Sequence, residues 1–205
     1  MPMAASDGVP ELVTRARAVA REIGFPLDRD EAGAGRPSAS LPGVGAFLAV
    51  LAAGCSGGRI AEIGTGAGIG AAWLASAMPA DCVLVTAEID DRLAAAAGSL
   101  FAGDHRVRVI AGDAARVLPG EGPFDLLFAD GPWRHPDGPG SLIGLLRPGG
   151  RLVMDDVTPL RLLPPDSPLR ASDPKRDVFA DPRLVSAEVV LPDLRNALLV
   201  GTRVA

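Results

Sequence analysis

Acidic residues and glycines fall together where short apolar runs end, and that pairing could hold a charged ligand. Glu62 lies in the stretch Ala61 to Gly70, AEIGTGAGIG, with glycine at Gly64, Gly66, Gly68 and Gly70. Glu88 ends the next apolar run, the turn AGDA follows at Ala111 to Ala114, and LLRPGGRLVMDD covers Leu145 to Asp156. Glycine lets a backbone take positive φ and lets a ligand approach it closely. A dinucleotide fingerprint asks for G-x-G-x-x-G, but counting from Gly64 puts Ile69 at the third glycine. A carboxylate such as Glu62 would oppose a pyrophosphate. It suits a ligand that carries a sulfonium and an ammonium. Glu88, at the end of the second run, can accept hydrogen bonds from both hydroxyls of a ribose. Asp113 could accept from an adenine amino group. Taken singly, each feature reads equally well as a turn with solvated acids; in order, they point to a ligand site.

These groups need elements to position them. The pattern predicts a helix over Pro10 to Ile23, with Leu12, Ala16, Val19, Ala20 and Ile23 on one face. Gly24 and Pro26 stop it. Leu27 to Ser40 reads as a mobile connection, and a second helix covers Val44 to Ala53. Strands are expected at Arg59–Ile63, Cys82–Glu88, Val107–Ile110, Phe124–Ala129 and Arg151–Met154. Between them, helices are expected at Ile69–Met78, Arg92–Phe101, Ala114–Leu118 and Ser141–Leu146. Apolar strands alternating with helices imply a parallel sheet with right-handed crossovers, which binds ligands at the carboxyl ends of its strands. Leu184–Leu191 and Ala197–Val204, joined by Pro192 to Asn196, read as an antiparallel hairpin at the sheet edge. Thr158 to Lys175 is proline-rich and long enough to suspect a lid. The expected fold is therefore α/β: a Rossmann-like, doubly wound, mostly parallel seven-stranded sheet with a C-terminal antiparallel hairpin. It forms a single domain over 1–205, with an N-terminal helix and linker to 40, a core over 41–157, and a lid loop and edge hairpin from 158.

Hydrophobic residues make up 48% and charged residues 22%, as expected of a globular protein. The net charge of -5 and the lack of a basic run argue against a nucleic-acid or anionic-membrane partner. The N-terminus has no signal-peptide pattern, and no apolar stretch is long enough to span a membrane. Cys55 and Cys82 have no metal spacing and read as reduced, buried thiols, so a cytoplasmic location is expected.

From about Leu41 to Val157 the chain resembles the class I S-adenosylmethionine-dependent methyltransferases. More narrowly, it is similar to the catechol and caffeoyl-CoA O-methyltransferase family. The resemblance implies that the cofactor's methionine part lies at Glu62, Gly64, Thr65, Gly66 and Gly68, its ribose at Glu88, and its adenine at Gly112, Asp113 and Ala114. It also implies a divalent cation, usually Mg2+, at Asp130 of FADG and at Asp155 and Asp156 of MDDV. Hard oxygen ligands of this kind suit magnesium, although Asp156 replaces the family's Asn. Asp130 would also border the cofactor.

The chain departs from the family beyond Asp130. The family's lysine base is missing from Asp130-Gly131-Pro132-Trp133-Arg134-His135, and the chain has no tyrosine. A guanidinium at Arg134 stays protonated, so His135 is taken as the candidate base, against the reading of a solvated loop histidine. Trp133 could cover the cofactor or flank the substrate, or it could be pinned to the domain surface. Trp73 reads as core. The expectation is methyl transfer to a small hydroxylated, catechol-like acceptor, with Asp130 and His135 catalytic. Its rivals are a metal-independent methyltransferase, a non-catalytic cofactor-binding relative and, least of all, a nicotinamide dehydrogenase. Members of the family often form homodimers.

Overall fold

Seven strands alternate with helices in the computed structural model, which describes residues 8–33, 37–170, 173–191 and 197–204. Helices α1 (Glu11–Glu22), α2 (Arg29–Ala32) and α3 (Pro42–Ala53) come first. Then β1 (Arg59–Ile63), α4 (Ile69–Ala77), β2 (Val83–Glu88), α5 (Asp91–Phe101), β3 (Val107–Ala111), α6 (Ala114–Val117) and β4 (Phe124–Ala129) alternate strictly. β5 (Leu146–Val157), α7 (Pro174–Phe179), β6 (Leu184–Val190) and β7 (Ala197–Arg203) complete the chain. The sheet order is β3-β2-β1-β4-β5-β7-β6. β1 to β5 are parallel; β7 runs antiparallel to β5, and β6 antiparallel to β7. The order reverses between β1 and β4, and such a switch point opens a crevice at the strand ends.

Apolar side chains alternate between two cores, one on each face. Ile60, Leu126, Phe128 and Val153 pack under α1, α3, α4 and α5. Ala61, Leu127, Leu152 and Met154 face α6 and α7 on the other side. Trp73 is buried in the first core, as expected. A Cβ on Gly45 would lie 2.1 Å from the Trp73 indole nitrogen, so glycine there lets α3 approach α4. Cys55 and Cys82 are free and buried. Among the described residues no helix is long and apolar enough to cross a membrane.

Four expectations need correction. The segment expected as a helix at Ser141–Leu146 is a 3-10 turn over Pro139–Leu145, where two glycines and a proline within seven positions deny α-helix its propensity. β5 starts at Leu146 instead of Arg151, with a register shift against β4 that absorbs the Pro-Gly-Gly segment. The connection after α1 contains α2, closed by a reciprocal cap. Glu31 N–H donates to Asp28 Oδ1 at 2.9 Å, and Leu27 N–H donates to Glu31 Oε2 at 2.8 Å. The proline-rich segment carries α7, capped by Asp173 accepting from Lys175 N–H at 3.0 Å and anchored by buried Val178 and Phe179. Pro192 to Asn196, the expected hairpin turn, lies outside the described residues.

Candidate active site

A cavity of about 590 Å³ opens where β1, β2, β3 and β4 end. Its floor is the loop after β1. Gly64 has φ +86, and a Cβ there would lie 3.0 Å from Gly131 Cα, so the loops after β1 and β4 touch backbone to backbone. A Cβ on Gly70 would lie 2.3 Å from Glu62 Oε1. Glycine at the start of α4 is what lets the Glu62 carboxylate turn across the helix terminus.

Glu62 is buried. Thr86 Oγ1 donates to its Oε2 at 2.6 Å, and Thr65 Oγ1 lies 2.5 Å from Thr86 Oγ1. A hydroxyl has one proton; Thr86 gives its own to Glu62, so Thr65 is the donor in the second bond. Burial pushes the Glu62 carboxyl up to about 8; the Thr86 bond opposes this and the nearby Glu88 charge adds to it. Glu88, also buried, accepts from Gly66 N–H at 2.8 Å and Asp90 N–H at 3.0 Å. A carboxylate offers about four lone-pair directions, so acceptor capacity remains toward the cavity. Gly112 N–H donates to Glu88 O at 2.7 Å and ties the end of β3 to the end of β2. Asp113 caps α6 by accepting from Ala115 N–H at 3.0 Å, while still bordering the cavity.

A second group of carboxylates gathers next to this loop. Asp130 follows β4 and accepts from Ser40 Oγ at 3.1 Å. Asp155 and Asp156 lie in a bulge of β5: the pairing with β7 runs Met154 to Leu199 and then Val157 to Ala197, leaving one extra residue on β5. Asp156 takes φ 62, a left-handed conformation that Asp tolerates better than most residues. In a regular strand, neighbours point to opposite faces. Here one carboxylate oxygen from each of Asp130, Asp155 and Asp156 falls within 4.8 Å of the others. Asp130 is raised well above the ordinary carboxylate range, first by burial and then by the charges of Asp155, Asp156 and Glu62.

Glu62, Gly64, Thr65, Gly66, Glu88, Gly112, Asp113, Ala114, Asp130 and Asp156 all border the cavity. Asp155 is buried beside it, in a small recess with Ser40. Three expected site residues lie elsewhere. Gly68 does not line the cavity; it caps α4 at φ +86 against Leu100 and Phe101 of α5. Trp133 turns away from the cavity to the second core, and its indole N–H donates to Ser141 Oγ at 2.8 Å. His135 stacks on that indole with centroids 5.7 Å apart, and its Nδ1 accepts from Asp137 N–H at 3.2 Å. Of this segment, Gly131, Pro132 and Arg134 border the cavity instead. Of the proline-rich segment after Thr158, no described residue borders it.

Other residues here carried no readable signal. Phe25, Ser38 and Ser40 reach the cavity from the connection between α1 and α3. Thr86 holds Glu62 from inside β2. Lys175 reaches the bulge from α7, donating through Nζ to Asp155 O at 2.6 Å and Asp156 O at 3.2 Å. Ser40 lies 90 positions from Asp130, Lys175 stands on a separate helix from the bulge it reaches, and only the fold brings them together.

Residues 61–157 match the family model described as a methyltransferase domain. A probable O-methyltransferase of Mycobacterium tuberculosis, strain H37Rv, is 40% identical over an alignment of 123 residues that covers 57% of this chain and 55% of that protein. The chain thus spans about half the length of the curated relatives it matches. Solved structures align over nearly the whole chain. The O-methyltransferase TomG of Streptomyces achromogenes, involved in tomaymycin synthesis and solved with S-adenosylmethionine, is 26% identical with TM-score 0.66. Cofactor-bound Rv0187 from MTB is 25% identical with TM-score 0.70. In both comparisons the match covers 96% of this chain and 91% of the other. The glycine loop, its two acids, and Asp130, Asp155 and Asp156 all fall within residues 61–157, the segment that is similar to the methyltransferase domain family.

Proposed function

We propose that the chain is an S-adenosylmethionine-dependent O-methyltransferase of a small hydroxylated, catechol-like acceptor, assisted by a divalent cation. One observation carries the reading: the acidic glycine loop and the Asp130–Asp155–Asp156 cluster adjoin one another at one cavity. Its volume is in the usual range for small-molecule sites.

Glu62 faces the ammonium end of the cofactor, whose positive charge would favour the ionised carboxylate. Glu88 receives the ribose hydroxyls, and Asp113 with Ala114 borders the adenine. When bound, the cofactor would supply an electrophilic methyl on a sulfonium: the S–CH3 bond breaks to leave the neutral thioether of S-adenosylhomocysteine, an O–CH3 bond forms, and the acceptor hydroxyl's proton passes to water. Three carboxylate donors within 4.8 Å fit a hard octahedral cation that keeps several waters. A cation there would lower the acceptor's hydroxyl pKa and orient its oxygens. Asp130 spans the two functions, since it borders the cavity and belongs to the cluster. Ser40 fixes the orientation of its carboxyl. His135 has no part in this scheme, because it is stacked outside the cavity. The buried free thiols fit a reducing, cytoplasmic setting.

A metal-independent methyltransferase is the second reading. It is favoured by Arg134, which enters the cavity from the segment where the family carries its lysine and cannot act as a base. Calorimetric titration of S-adenosylmethionine, followed by methyl transfer to a panel of vicinal diols with magnesium or chelator, tests both. Turnover lost in chelator supports the cation reading. Full turnover in chelator replaces it with the second. Failure to bind the cofactor overturns both.

A further inference from the structure

Lysine occurs once in this chain, at Lys175, against nineteen arginines. It stands on α7 in the segment that contributes no described residue to the cavity. Its ammonium nevertheless donates to two consecutive backbone carbonyls, those of Asp155 at 2.6 Å and Asp156 at 3.2 Å. In a regular strand, successive carbonyls point in opposite directions, so one cation cannot reach both. They converge here because Asp156 is left-handed, at φ 62, inside the β5 bulge. That same backbone turn brings both side chains toward Asp130. The conformation that Lys175 grips is therefore the one that assembles the carboxylate cluster.

We propose that Lys175 is a positioning residue that holds the Asp155–Asp156 turn in its left-handed form and so presets the three carboxylates for a cation. The ammonium binds the main chain and leaves the carboxylate side chains directed at the cluster. A left-handed non-glycine residue is unfavourable by itself, and charge-assisted bonds to both flanking carbonyls offset that cost. α7 is in turn fixed: Arg176 pairs with Glu188 of β6 at 2.5 Å and Asp173 at 3.3 Å, while Val178 and Phe179 are buried. The edge of the sheet thereby braces the cluster from behind.

The inference rests on reading the three carboxylates as a cation site, and its test separates the two. Lys175→Met keeps the length of the side chain and removes charge and donors; Lys175→Arg keeps both. Each full-length variant is titrated with Mn2+ and with S-adenosylhomocysteine, and amide hydrogen exchange is followed across residues 154–158. Lys175→Met is expected to weaken Mn2+ binding by about tenfold, in the range for residues that orient metal ligands. It should also speed exchange at Asp156 and Val157 while the affinity for S-adenosylhomocysteine stays unchanged, and Lys175→Arg should restore most of both. Mn2+ binding and exchange that match wild type in Lys175→Met would overturn the proposal. So would joint loss of Mn2+ and S-adenosylhomocysteine binding in both variants, since that is global unfolding and not a local clamp. If wild type binds S-adenosylhomocysteine but no Mn2+, the cation reading falls, and faster exchange confined to 154–158 in Lys175→Met still supports the clamp.

Discussion

Around the glycine loop, each carboxylate is held by groups of the adjoining parallel strands and their turns. Glu88 accepts from the loop amide of Gly66 and from Asp90 two residues on, and Glu62 accepts from Thr86 on the adjacent strand. At the carboxylate cluster the partners come from outside the strands that carry the acids. Asp130 is bound by Ser40, 90 positions earlier, and the Asp155–Asp156 turn by Lys175, 20 positions later. The first group is made of consecutive strand ends and their tight turns, so its geometry follows from the α/β alternation itself. The second depends on a connection before α3, a bulge in β5 and a helix before β6.

Substitutions in the two groups should separate in what they damage. Asp130→Ala should abolish turnover while S-adenosylmethionine affinity, read by calorimetry, stays within a few-fold of wild type. Equal loss of both would erase the distinction between the groups. Glu88→Gln should do the reverse and weaken cofactor binding by about 10- to 100-fold, from the roughly 1.5–3 kcal/mol of a charged hydrogen bond. Turnover at saturating cofactor should suffer less.

A pH titration probes the first group. The Glu62 carboxyl rises from 4.5 to about 8 on folding. The unfolded chain therefore ionises first, and the stabilising contribution is complete below about 4.5 and declines as pH climbs to about 8. Thermal melting of the cofactor-free protein should fall across that window. Glu62→Gln should flatten the fall, and an unchanged slope would remove Glu62 as its source. The smallest effect is expected at His135, stacked on Trp133 outside the cavity. His135→Ala should leave turnover within about twofold, as for other substitutions away from a working site; a large loss would return the histidine to the chemistry.

The same contrast sets what could be read from the residues alone. β1 and β4 begin and end where the apolar runs do, and β2, β3 and the helices between them differ only at their ends. Buried parallel strands leave an apolar run flanked by glycine and acids, which is a local signal. The helix expected over Ser141–Leu146 failed because apolar spacing was read without its glycines. α7 was missed because it is short and proline-flanked, and its stability comes from the burial of Val178 and Phe179.

The sequence by itself determined the doubly wound order of elements, the glycine loop and the positions of Glu62, Glu88, Asp113 and Asp130 at strand ends, because strand ends and turns are set by neighbours in the chain. Only the tertiary structure decided that Arg134 faces the cavity while Trp133 and His135 face away. It alone decided that Ser40 and Lys175 join the carboxylate cluster, and that the β5 bulge turns Asp155 and Asp156 toward Asp130. Side-chain direction in a loop, and contacts between distant segments, follow from packing against the rest of the molecule. Residue spacing carries no record of that packing.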